Sequence, residues 1–517
     1  MSFTSPFAHA RALLPALVLI GAVPLACAQN PSSVRSMTGV DQKLVGIEGL
    51  GAISFPNSGS ASAQESFYRG VLLLHSFEYG SAADAFREAQ LMDPDFAMAY
   101  WGEAMTYNHS LWAQHDGEAG KEVLERLAPS PDARRAKAGS DREKRFMDAV
   151  EILYGHDGSK TERDDAYMQA MRSLHEAYPD DDEATAFYAL SILGTKNGAR
   201  DFATYMRAAA LVLPVFERNP NHPGAAHYII HSFDDPIHAP LGLPAARAYS
   251  EIAPGAAHAQ HMTSHIFVAL GMWDETVAAN IRASDVQDTE NEKNGGRPNV
   301  CGHYSSWLQY GYLQLGETTK AEELMDRCYE RVKGEARYGE WAYFTSMRAR
   351  QVVDTQDWTA AERWSVDVDR VPDDEEVVGY GSPRQRYQIT DALAELQLGD
   401  DSKAKALVAS RRPVSPGMAF QINDLAGLIA IHNGQRDKGI ELLKQAAAAE
   451  DALPLEYGPP EPIQPAHEVL GAALLKLGRN AEAADAFGRA LERTPRRAVA
   501  ATGLRRSGLA RDTGETR

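Results

Sequence analysis

Two short segments hold the residues best suited to chemistry: His227-Tyr-Ile-Ile-His231-Ser-Phe-Asp234-Asp235 and His258-Ala-Gln-His261-Met-Thr-Ser-His265. On a helix turning about 100° per residue, His227, His231 and Asp234 share one face, and so do His258, His261 and His265. His261 follows His227 by 34 residues, and His265 follows His231 by the same step. Neutral imidazoles suit zinc, copper, iron or nickel better than magnesium or calcium. The five histidines are therefore candidate ligands of a divalent transition metal, zinc or copper foremost. Asp234 and Asp235 could orient a ligand imidazole, bind the ion or act as a base, and Asp234 is the catalytic candidate. The zinc-protease motif needs Glu directly after its first histidine, and Tyr228 stands there instead. The chain has neither a Gly-x-Ser-x-Gly elbow nor a phosphate-binding loop.

The same step recurs in the elements that must position these side chains. Gly70, Ala82, Phe86, Ala89 and Pro94 are spaced as are Gly471, Ala483, Phe487, Ala490 and Pro495. Small and large residues at those intervals let two antiparallel helices pack closely before a closing proline. The pattern resembles the tetratricopeptide repeat (TPR) family. The implied fold is all-α, a TPR-like α-solenoid of helix hairpins spanning 63–509 with its His-rich centre at 223–290. Units open at Ala63, Ala97, Pro223, Ala257 and near Gly302, and a first helix runs from Met98 to His109 in the second. A degenerate unit holds Ala166, Ala170 and Pro179, ahead of a helix at 183–193. Further hairpins are expected across 338–368, 384–410 and 420–447, with a capping helix at 498–509. The segment 29–62 reads as a linker, 294–298 as an insertion, 371–383 as a loop and 510–517 as a disordered tail. No stretch demands a sheet.

The resemblance also implies that the first helix of each hairpin lines a concave groove. His227, His231, His258, His261 and His265 fall on its groove-facing positions, as does Asp234. His75 and His109, again 34 residues apart, share a later position and are groove candidates. Glu103 and Asn108 are candidates for the opposite wall, whereas Trp112 and His467 read as packing residues. His432 and His303 reach groove positions in registers that the insertions blur. Helix rise and packing distance place His227, His231, His261 and His265 at the corners of a rectangle of about 6 by 9 Å. His258 and His265 lie about 10.5 Å apart on one helix. One ion would thus take a subset, and the fifth histidine points to an outer shell or a second ion. The helix from His258 to His265 also resembles the His-x-x-His-Met-x-x-His helix of a group of exported bacterial TPR proteins, from which no established activity carries over. The loops 371–383 and 451–465 are the segments that would cap the groove.

A net charge of −19 argues against nucleic acid as a partner. Residues 1–28 read as a signal peptide, with Arg11, an apolar run from Ala12 to Pro24 and a cleavage site at Ala26-Cys27-Ala28. The apolar run is too short to span a membrane. Export to the periplasm is expected, Cys27 leaving lipid anchoring as the alternative, with no transmembrane span in the mature chain. Cys301 and Cys328 remain. The repeat frame brings their helix ends together, so either a disulfide or two buried thiols would fit. Two functions follow: a transition-metal-binding protein, which an open coordination position would make a metalloenzyme, or a scaffold without catalysis gripping a protein or peptide in its groove.

Overall fold

The computed structural model describes residues 43–508 apart from 113, 156, 196–199, 374–381, 411–415, 456 and 462. The signal peptide, Cys27, most of the 371–383 loop and the 510–517 tail lie outside the described residues.

Helix hairpins dominate the chain and follow the small-large pattern. A Cβ on Gly70 would lie 2.7 Å from the Phe86 ring, and one on Gly102 would lie 2.3 Å from it. Phe86 is thus clamped between two glycine-faced helices, Gln64–His75 and Ala97–Met105, with Ala82 and Ala89 buried beside it. Phe487 repeats the arrangement between Gly471 and Gly503. Replacing any of these glycines would press a Cβ into the phenylalanine ring and push the helices apart. The fold is all-α and TPR-like.

The expected central units appear as Pro223–Phe233 with Ala239–Ile252, Ala257–Ala269 with Trp273–Lys293, and His303–Leu315 with Thr318–Lys333. Pro223 stands at the first helical position, and the His222 side chain accepts the Ala225 N–H, which fixes where the first of these helices begins. Later hairpins comprise Pro383–Leu398 with Ser402–Ser410, Pro416–His432 with Arg436–Asp451, and Ala466–Lys476 with Asn480–Arg493, followed by Ala498–Arg506. Cys301 and Cys328 are joined by a disulfide across the unit that Gly302 opens. Among the described residues no helix is long and apolar enough to cross a membrane.

Two expectations need correction. From residue 43 the segment read as a linker is packed: Val45–Ile47 pairs with Gly51–Ile53, and Phe55 is buried against Phe67, Trp101 and Phe146. Its backbone is tied down, since Ala52 N–H donates to Asn221 C=O at 2.9 Å and Gly255 N–H to Gly49 C=O at 2.9 Å. The hairpin therefore buttresses the turns that launch both histidine-bearing helices. The helix expected to reach His109 ends at Met105, where the Thr106 hydroxyl takes the Glu103 carbonyl at 2.7 Å. Asn108–His109 then pairs with Gln114–His115 in a small sheet.

Candidate metal centre

Three first helices, Pro223–Phe233, Ala257–Ala269 and His303–Leu315, meet at the centre of the array. His227, His231, His258, His261 and His265 are all buried, none more than 8% exposed. The open groove expected for them is in fact an interior, because aromatic side chains from distant segments close over it. Phe77 lies against His227 at 4.3 Å, and Trp112 meets His258 edge-on at 5.9 Å. Tyr457, from the 451–465 segment, stacks on His265 at 5.1 Å, and Trp307 stacks on its ring at 4.7 Å.

The expected rectangle divides into two sets. His227, His231 and His258 each offer a ring nitrogen within 4.8 Å of the others, and so do His261, His265 and His303. His303 was the least certain of the sequence candidates, yet it completes the second set.

Hydrogen bonds assign the imidazole faces. Asn280 donates through Nδ2 to Thr276 C=O at 2.9 Å, so its Oδ1 faces His261 Nδ1 at 2.8 Å. His261 must therefore carry its proton on Nδ1. His265 Nδ1 donates to Asp234 Oδ2 at 3.0 Å. Burial pushes Asp234 upward, but the Arg200 guanidinium and the His231 and His265 contacts outweigh it and hold the carboxyl far below its usual range. Burial, reinforced by neighbouring histidines, depresses His227, His258 and His261 strongly and brings His303 down to about 3. His265 is lowered too, burial outweighing the Asp234 contact. Burial thus favours the neutral form of these five rings, the form that binds metals.

His261 Nε2 and His265 Nε2 face one another at 3.2 Å. With both Nδ1 atoms protonated, two bare lone pairs point together. A cation resolves that conflict, because two nitrogens bound tetrahedrally at about 2.0–2.1 Å sit about 3.3 Å apart. His227 Nδ1 donates to His75 C=O at 2.7 Å, and His231 Nδ1 lies 3.5 Å from Asp234 Oδ2. The buried Nε2 atoms of His227, His231 and His258 have no hydrogen-bond partner.

Other sequence candidates have different work. Asp234, the catalytic candidate, contacts His265, His231 and Arg200, and its carboxylate lies within 4.8 Å of ring nitrogens of His231 and His265. Asp235 accepts the Ile237 and His238 N–H groups and starts the next helix. Glu103 faces Arg87, Gln90 and Arg126, away from the histidines. His109 stacks on Tyr79 at 3.9 Å, and His432 is exposed. His467 bonds Asp451 at 3.0 Å. His75 sits in a separate buried chain: Tyr228 Oη–H donates to its Nδ1 at 2.9 Å, and its Nε2 donates to Glu183 at 2.7 Å. His222, which the sequence did not flag, lies 3.2 Å from the other Glu183 oxygen. His75, Glu183 and His222 bring possible ligand atoms within 4.8 Å of one another, and neither His222 Nε2 nor the Glu183 oxygen facing it makes a hydrogen bond.

No family model matches this chain, and neither does any curated relative. Solved structures with some likeness include the APC/C hetero-tetramer Cut9-Hcn1, 11% identical over 88% of this chain and 78% of that one, with a TM-score of 0.37. Yeast Tom70 is 11% identical over 80% of this chain and 89% of its own, at 0.38. The P58(IPK) TPR domain is 12% identical over 87% and 98%, at 0.20. At such scores the fold rests on the hairpin packing described above.

Proposed function

We propose that this chain is an exported, periplasmic metal-binding protein whose TPR-like array encloses a transition ion of the zinc or copper class between His261, His265 and His303. The opposed Nε2 atoms of His261 and His265, 3.2 Å apart, carry this reading. Three imidazoles leave a fourth position for water or substrate, the arrangement of catalytic rather than closed structural sites. Export is supported by the leader-like first 28 residues and by the Cys301–Cys328 disulfide. Quantifying metals in protein purified without chelator tests the site. About one equivalent or more is expected, falling in His265→Ala plus His303→Ala. Metal content near zero, unchanged after loading with zinc or copper alone, would overturn it.

A scaffold role is the second reading. Buried histidines cannot line a peptide groove, but Ile237 and Leu241 are exposed, with Phe202 at the edge of exposure close by against His238. An apolar surface of this kind suits a protein partner. Ile237→Asp plus Leu241→Asp should abolish recovery of a partner from envelope extract. Recovery unaffected by these changes would exclude this surface.

A further inference from the structure

Building on the reading of this histidine core as a metal site, we propose that the chain holds two transition-metal ions, the second between His227, His231 and His258, with Asp234 bridging one ligand of each set.

Several observations converge on the second set. Its three Nε2 atoms are buried and have no hydrogen-bond partner. Two of its rings are already turned for ligation. The His75 carbonyl takes the His227 Nδ1 proton, and Asp234 lies beside His231 Nδ1, leaving both Nε2 lone pairs toward the shared space. Metal-binding histidines show this arrangement, in which an outer oxygen fixes the tautomer and orients the ring. Asp234 Oδ2 serves His265 of the first set in the same way, while Arg200 holds its other oxygen. A single carboxylate thus orients one imidazole on each side.

The second set also has its own cover. Phe77 adopts φ 56° in the turn between the first two helices, as Gln356 does after Tyr338–Thr355, whereas the corresponding turns of five other hairpins use Gly271, Gly316, Gly399, Gly434 and Gly478. A phenylalanine is strained in that left-handed conformation. Its ring stacks on His231 at 6.0 Å and His258 at 5.6 Å besides touching His227, so one strained side chain seals all three imidazoles. Tyr249 also stacks on His227, at 5.4 Å. Phe77 also lines a small cavity of about 20 Å³ with Tyr79, Met105, Tyr167 and Phe187.

The test is stoichiometry. Full-length protein is stripped with chelator, reloaded with zinc alone, desalted and assayed for zinc against protein concentration. Two ions per chain are expected in the wild type, one in His258→Ala and one in His303→Ala. One ion in the wild type would overturn the second site and leave the first reading standing; none would overturn both. A His258→Ala protein that keeps two ions would overturn the ligand assignment. Far-ultraviolet circular dichroism confirms that each variant is folded, and the wild-type count decides between one site and two without any variant.

Discussion

The ring of Phe77 rests 4.3 Å from that of His227, held there by a backbone at φ 56°. Truncation at this position separates packing from backbone strain. Removing the buried ring costs about 3–5 kcal/mol. Glycine then regains part of that, because it adopts the left-handed region without the penalty of about 1–2 kcal/mol that a Cβ incurs. Phe77→Gly is therefore expected to be about 1 kcal/mol more stable than Phe77→Ala. Urea denaturation of the two variants measures the difference. An alanine variant as stable as the glycine one would show that the turn is unstrained.

Hairpins were legible because a clamped Phe86 or Phe487 demands glycine on both neighbouring helices, and that demand leaves a fixed spacing. The five central histidines were legible for the same reason: two units open 34 residues apart. His303 was blurred because the exposed 294–298 insertion breaks the period between it and His261. The division into two sets was not readable, since it depends on which way each ring turns, and Asn280, His75 and Asp234 decide that from other helices and turns. Glu183 and His222 follow no repeat. They meet His75 only because the helices Asp182–Gly194 and Pro223–Phe233 pack beside the first hairpin. The covers were hidden too, as Tyr457 reaches His265 from nearly 200 residues downstream.

Asp234 orients His265 at 3.0 Å and approaches His231 at 3.5 Å. An asparagine there removes the charge that polarises both imidazoles, and outer-shell losses of this kind typically weaken metal binding about 10–100-fold. Asp234→Asn is expected to lower zinc affinity at both sites, read by competition with a chromogenic chelator. Loss at only one site would mean that the carboxylate serves a single set.

The Cys301–Cys328 bridge joins residues 27 apart in sequence. Loop-closure entropy for a ring of that size gives a stabilisation of about 3–4 kcal/mol. Cys301→Ser plus Cys328→Ser should lose about that much in denaturant unfolding while keeping its metal content. The bridge lies on the unit that presents His303, so a drop in zinc stoichiometry would instead make the disulfide part of the second-helix support for that ligand.

Glu183 lies fully buried between His75 and His222. Burial alone would raise its carboxyl, but the two histidines outweigh it and bring the group from 4.5 to about 2. A carboxyl depressed on folding stabilises the native state at pH values above its unfolded value. That stabilisation is lost as pH falls from about 4.5 toward about 2. A shift of this size corresponds to about 3 kcal/mol. Glu183→Gln should therefore be less stable than the wild type by about 3 kcal/mol at pH 7, and the two unfolding curves should converge as the solution is acidified. Histidine protonation elsewhere acts on both proteins alike and cancels in the comparison. A difference that stayed constant from pH 7 to pH 3 would show that the glutamate contributes through shape and hydrogen bonding, not through its charge.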